Sequence, residues 1–288
     1  MPRYSHRSRT RRRNRGRFGP LFKLLCVIAV IVALTVGATV FFRVEQVTVT
    51  GNRRYTQEEI IAASGIELDD NLYSLNKVRI DRNIRTTLPY IGELTINRAL
   101  PSTIVITVTE WEAVAQVTVP DPERVSALQQ ERLEEDPKAE PIQTAREPWL
   151  ISVKGKLLEP APANAQAIAV TGLIPLAPQA GSLLEVPEEE TLQLAALTGL
   201  LAALEAREML MEVTSIRLES TYLVARYAGR FDVKMKLNAD FDYDVRLMRS
   251  VRQQMEAREG EEVAGTIDLT QEHQSAVFSP EENSQGAP

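Results

Sequence analysis

The side chains able to do chemistry in this 288-residue chain are few, and their spacing is poor for catalysis. Reactions near neutral pH draw mostly on a histidine, a thiolate or a tuned pair of carboxylates. The one cysteine, Cys26, lies inside an apolar run, so no disulfide can form within the chain and thiolate metal centres are excluded. Past that run there is one histidine, His273, in the polar stretch Gln271-Glu272-His273-Gln274. A polar turn does not hold an imidazole against a nucleophile, so no catalytic residue is expected. Asp240-Phe241-Asp242-Tyr243-Asp244 has the spacing that opens a calcium loop. Its sixth position is Val245 instead of glycine and its twelfth is Val251 instead of glutamate. These acids read as the charged start of a helix, where the dipole favours them. Glu134-Glu135-Asp136 reads as a solvated acidic loop. The glycines do not gather into a phosphate-cradling loop. The expectation is therefore no metal, no cofactor and no small-molecule substrate, which leaves macromolecular binding as the chemistry.

What positions such binding begins with the apolar run. Leu24–Phe42 is 19 residues without a charge, close to the ~20 a helix needs to cross a bilayer. It exceeds the ~7–15 of a cleaved signal peptide, although Gly37-Ala38-Thr39 offers small residues for cleavage. Residues 1–23 carry Arg3, Arg7, Arg9, Arg11, Arg12, Arg13, Arg15, Arg17 and Lys23 and no acid, so the remainder is far more acidic than the whole-chain charge of −6. Arginine and lysine stay on the cytoplasmic side, which predicts a cytoplasmic N-terminus and extracytoplasmic residues beyond the span. The same tail suits anionic lipid contact. Its arginines are interleaved with no aromatics apart from Tyr4 and Phe18, and nucleic acid is not expected as a partner.

Residues 44–116 are dense in pattern. Val44–Thr50 alternates as a strand and Gly51-Asn52 follows as a turn. Thr56-Gln57-Glu58-Glu59 is a capping box opening a helix that stops at Gly65. Ile80, Ile84 and Leu88 predict a second helix over Lys77–Leu88, ended by Pro89. Tyr90–Asn97 and Thr103–Glu110 alternate as strands. The order is strand, helix, helix, strand, strand.

Here the sequence resembles the POTRA domain of FtsQ/DivIB-type bacterial division proteins. The residues that carry the resemblance are Val47-Thr48-Val49-Thr50-Gly51-Asn52, Gly65, Asn71-Leu72, Leu88-Pro89, Asn97-Arg98-Ala99-Leu100-Pro101-Ser102-Thr103-Ile104, Val108-Thr109-Glu110 and Val114-Ala115. Beyond it, 117–148 is an acidic linker or insertion in which Val125–Leu133 alone is periodic, longer than the link usual in that family. Trp149–Leu158 reads as a hairpin with Lys154-Gly155 at its turn, and Ile168–Pro175 as a strand. Glu188–Met211 reads as a helix with Leu194, Leu197, Leu201 and Leu204 on one face. Strands over Thr214–Glu219, Tyr222–Tyr227 and Phe231–Leu237, a helix over Phe241–Arg258, and strands over Gly265–Leu269 and Ser275–Phe278 complete the unit. Its closing Ile267-Asp268-Leu269 and Ala276-Val277-Phe278 are similar to the FtsQ C-terminal domain.

The fold class expected is α+β: one transmembrane helix, a βααββ POTRA-like domain and a second α/β domain on a mainly antiparallel sheet. The units are 1–23 basic cytoplasmic tail, 24–42 transmembrane helix, 44–116 POTRA-like domain, 117–148 acidic linker, 149–280 β domain and 281–288 disordered tail. The resemblance implies a cell-division scaffold at the septum, bound to FtsL-like and FtsB/DivIC-like single-pass proteins and influencing septal peptidoglycan synthesis. A POTRA-type chaperone or transport component is the alternative, although such proteins usually carry several repeats and a barrel. A cell-wall hydrolase is disfavoured by the missing His and Cys. The resemblance and the terminal position of the last strand together place partner binding at Thr270, Gln271, Ser275, Ala276, Val277 and Phe278, with Phe278 as an apolar anchor beside an open ladder.

Overall fold

The computed structural model describes residues 18–260, 262–271 and 276–280. A helix, α1 (Phe18–Phe41), comes first. Its Gly19–Gly37 stretch has a mean hydropathy of 2.4 and makes no contact with the rest of the molecule that buries it. It starts earlier than the apolar run because a helix tolerates Lys23, whose long stem lets its charge reach an interface. The arginines at 3–17 lie outside the described residues.

The small domain follows. Its elements are β1 (Gln46–Thr50), α2 (Gln57–Ser64), α3 (Lys77–Thr87), β2 (Ile91–Ala99) and β3 (Thr103–Glu110). Thr56 Oγ1 accepts from Glu59 N while the Glu59 carboxylate accepts from Thr56 N, so the capping box is complete. Gly65 closes α2 in the left-handed region, at φ 66°. Asn76 caps α3 by accepting from Val78 N and Arg79 N. The sheet order is β1-β3-β2, with β1 parallel and β2 antiparallel to β3. Thr103–Glu110, though last in sequence, is thus the central strand and has no free edge. Val49, Ile60, Ile80, Ile84, Ile91, Ile104 and Ile106 bury against one another as the core.

The larger unit is one nine-stranded sheet in the order β12-β11-β10-β9-β8-β7-β4-β5-β6. Its strands are β4 (Ala115–Val117), β5 (Trp149–Ile151), β6 (Leu157–Pro160), β7 (Ile168–Thr171), β8 (Val213–Leu218), β9 (Tyr222–Tyr227), β10 (Phe231–Lys236), β11 (Gly265–Asp268) and β12 (Val277–Pro280). Antiparallel pairings outnumber parallel ones. The helices are α4 (Pro122–Glu135), α5 (Thr191–Ala206) and α6 (Phe241–Glu259). Leu197, Leu200, Leu201 and Leu204 of α5 and Val245, Met248 and Val251 of α6 bury against Ile216, Ala225, Val233 and Ile267 of the sheet.

Three expectations shift. Ala115–Val117, divided between the POTRA-like unit and the linker in the sequence reading, is an interior strand of the larger sheet, paired with β5 and β7. Ile168–Pro175 ends as a strand at Thr171, because Gly172 turns at φ 97° against the Leu218 carbonyl. Glu188–Met211 is broken at both ends: Glu188–Glu190 is a separate 3-10 turn, and α5 stops at Ala206 ahead of Glu208 at φ 57°. The break at the start has a cause. Glu190 is turned inward, only 5% exposed, where its carboxylate accepts from Ile174 N and Arg124, each at 2.6 Å. Burial pushes its pKa up against the opposing pull of Ile174 N–H and Arg124. Through Arg124 this carboxylate also ties down α4, which buries none of its own side chains.

The two domains meet through a third, small apolar cluster of Tyr90, Leu150 and Leu158. Polar contacts surround it. Tyr90 Oη donates to Glu159 at 2.6 Å, and Arg54 pairs with the same carboxylate at 3.1 Å while lying over the Tyr90 ring. Lys156, 7% exposed, reaches from the larger domain and donates to the Ile91 carbonyl of β2 at 2.9 Å. Burial, then the nearby Arg85, lowers its pKa to about 8.

Two substitutions test these placements. Gly51 holds φ 88°, and an added Cβ would stand 2.1 Å from the Val108 carbonyl oxygen. Gly51→Ala is expected to lower unfolding free energy by about 2–4 kcal/mol, read by chemical denaturation. Asp244, 8% exposed, keeps Oδ2 without a hydrogen bond among the described residues, and burial, then Asp240, raises its pKa to about 6. A carboxyl raised in the fold holds its proton more tightly there than in the unfolded chain. Its contribution therefore turns against folding as pH rises from about 4 to about 6. Asp244→Asn is expected to flatten that limb of the stability–pH curve and to gain about 1–2 kcal/mol at pH 7. An unchanged slope between pH 4 and 6 would refute the assignment.

Candidate partner-binding edge

The chain's carboxylates are consumed locally. Asp240 caps α6 by accepting from Tyr243 N, Asp242 pairs with Arg207 and Arg246, and Asp244 is buried, so the three acids diverge and do not converge on one point. Glu110 closes on backbone, accepting from the N–H groups of Arg53, Arg54 and Tyr55 at 2.6–3.1 Å. His273 lies outside the described residues.

What stays open is main chain. β12 is the last strand of the nine-stranded sheet and pairs on one side only, antiparallel to β11 with Ile267 opposite Phe278 and Asp268 opposite Val277. The opposite end of that sheet is shielded: Gly181 N donates to Leu157 O and Leu157 N donates to Ser182 O, so a loop covers β6. In the small domain, the β2 edge gives its Ile91, Gly92 and Ile96 carbonyls to Lys156, Arg85 and Lys77. Side-chain cations thus blunt one edge and a loop another, whereas among the described residues neither kind of cover lies on β12.

The six residues expected at the site divide into distinct roles. Ser275 lies outside the described residues. Ala276 is half-buried ahead of the strand, which begins at Val277 and runs to Pro280, two residues later than the reading of 275–278. Val277 turns outward, 47% exposed. Phe278 turns inward: its ring centroid is 6.3 Å from that of Phe231, and it lies where a Cβ on Gly265 would meet it at 2.8 Å. The ring therefore helps clamp β12 onto β11. Thr270 is held by Asp268, donating to Oδ1 from its hydroxyl at 2.6 Å and its N–H at 2.8 Å, and Gln271 donates to Oδ2 at 3.5 Å. Burial pushes the Asp268 pKa up, but these bonds more than offset it and hold the carboxyl below its usual range.

Two contributors escaped the sequence reading. Asp268 organises the loop that leads toward β12, and Gly265 supplies the flat floor on which Phe278 lies. The Asp-x-Thr spacing was a legible signal for the first, since Asp side chains accept from N–H groups two residues on. Gly265 carried no such signal, because its need for a missing Cβ arises only from the strand packed across it.

Comparison with known proteins matches residues 42–111 to the family described as POTRA domain, FtsQ-type. The chain is similar to the cell division protein FtsQ of Corynebacterium glutamicum, 33% identical over 103 residues, which is 34% of this chain and 46% of that protein. It is similar to the cell division protein DivIB of Geobacillus kaustophilus, 39% identical over 74 residues, 26% of this chain and 28% of the relative. A DivIB of Brevibacillus brevis is 28% identical over 118 residues, 41% and 44% of the two chains. The matched stretches thus span less than half the length of these curated relatives. The FtsQ-type match falls on the small domain behind one apolar helix, and the FtsQ and DivIB names agree across these relatives, which supports an FtsQ/DivIB assignment.

Proposed function

We propose that this protein is a membrane-anchored scaffold of the bacterial division apparatus and acts by binding, with no reaction of its own. The cell-division role is supported by the FtsQ and DivIB relatives. The binding mechanism rests on one observation above the others: among the described residues, β12 is the end strand of the larger sheet and pairs on one side only. An extended segment of another chain can add there by main-chain pairing, with Val277 giving it an apolar side chain to pack on. The partners that fit are small single-pass division proteins of the FtsL and FtsB/DivIC kinds, whose extracytoplasmic parts lie on the same side of the membrane. The positively charged N-terminal segment supports a cytoplasmic N-terminus. Septal recruitment and influence on peptidoglycan synthesis follow as the work of the assembled complex.

Two substitutions at this edge act by different routes. Val277→Glu places a charge beside the open ladder without disturbing the core. It is expected to change stability by no more than about 0.5 kcal/mol and to weaken capture of an FtsB/DivIC-like partner by about 1–3 kcal/mol, measured by calorimetry. Gly265→Val drives a side chain into the Ser279 carbonyl, 2.4 Å from an added Cβ, and into the Phe278 ring. It is expected to lift β12 from β11, lowering stability by about 1–3 kcal/mol and abolishing capture. Unaltered partner affinity in both variants would sink the β12 reading.

A further inference from the structure

We propose that one pole of the small domain, carrying Leu68, Tyr73 and Leu100, rests in the interfacial layer of the same bilayer that α1 crosses. Among the described residues of 42–111, the large apolar side chains standing clear in solvent are Leu68 (69% exposed), Tyr73 (55%), Val78 (70%) and Leu100 (61%). Three of them, Leu68, Tyr73 and Leu100, share one pole of the domain. Leu68 adjoins the segment where Asp69 N donates to Val44 O and Val44 N donates to Asp70 O. Leu72 N donates to Phe42 O, and the Tyr73 ring stands edge-on to Phe42 at 5.2 Å. Leu100 belongs to the turn whose Ser102 carbonyl accepts from Glu45 N. Val78 is in the first turn of α3. Two loops, the α2–α3 connection at two points along it and the β2–β3 turn, therefore converge on residues 42–45, where the chain leaves α1. Apart from Val78, the other large apolar side chains described in the small domain are at least partly covered.

The pole is built, not frayed. Arg98 donates to the Leu72 and Leu75 carbonyls at 2.6 and 3.1 Å and lies over the Tyr73 ring, so the loop bearing Tyr73 is pinned outward. Phe41, Phe42 and Tyr73 form a run of aromatics at the end of the span, the placement aromatic rings take at membrane–water interfaces. Charges of both signs share the surface: Arg43 pairs with Asp69, and Glu45 accepts from Ser102. Headgroup attraction is therefore not the driving term, and burial of apolar surface is. The consequence is orientational. Three points of contact around one span hold the small domain upright, and the larger domain fixed to it, so β12 is presented at a set height above the membrane.

The inference rests on α1 being a span, and the test separates the two. The full-length protein is reconstituted in vesicles and carries one environment-sensitive dye at a time: on native Cys26, or in a Cys26→Ser background on Leu68→Cys, Leu100→Cys or, as a distal control, Met211→Cys. Vesicles contain lipids with nitroxide groups near the headgroup or deep in the chains. Dyes at 68 and 100 are expected to show blue-shifted emission and loss of intensity with shallow nitroxides, and the dye at 211 neither. Water-like, unquenched emission at 68 and 100 with a quenched dye at Cys26 would overturn the proposal while the span stands. An unquenched dye at Cys26 would overturn the span, and the proposal with it. Quenching at 68 and 100 should persist in purely zwitterionic vesicles; dependence on anionic lipid would make the contact electrostatic and reject an apolar pole.

Discussion

Ala115–Val117 is a three-residue strand on which the larger sheet depends. It pairs with β5 on one side and β7 on the other, so without it the hairpin β5–β6 would part from the six strands β7 to β12. It is reached only a few residues after β3, the central strand of the small domain, through Trp111, whose N–H donates to Tyr90 O, and Val114, whose N–H donates to Ile151 O. A chain that runs from the middle of one sheet into the middle of another with so short a link leaves the domains little freedom. The Tyr90–Leu158 cluster and the reach of Lys156 to Ile91 then close the remaining angle.

That constraint joins the functional ends of the molecule. The span arrives at one pole of the small domain, and β12 lies at the far end of a nine-stranded sheet. Each strand-to-strand step is a hydrogen-bonded ladder with little compliance, so β12 is carried at a fixed offset from the anchor. Two of the other sheet edges are blunted. Lysine and arginine side chains take β2 carbonyls and a loop covers β6, the means by which sheet proteins avoid indiscriminate pairing.

The buried ionic groups serve position. A lone buried carboxylate such as Glu190 costs free energy to desolvate, and it persists because Ile174 N–H and Arg124 supply the hydrogen bonds that water would have given. Its effect is to end a helix early and to dock an otherwise exposed one. Asp268 does the same on a smaller scale for the loop that precedes β12.

The sequence by itself determined what depends on near neighbours. The anchor follows from an uncharged apolar run, the capping box from Thr56 and Glu59, and the strands expected over 90–97 and 103–110 from alternation that a pleat sorts between faces. The α+β class and its mainly antiparallel second sheet were legible for that reason. Only the tertiary structure decided what depends on distant partners. That Thr103–Glu110 is central, that Ala115–Val117 leaves one domain for the other, and that Phe278 turns inward over Gly265 while Val277 faces out are matters of register between segments far apart in the chain. Period-two patterning says that two faces exist, and only the strand packed alongside says which of them is covered.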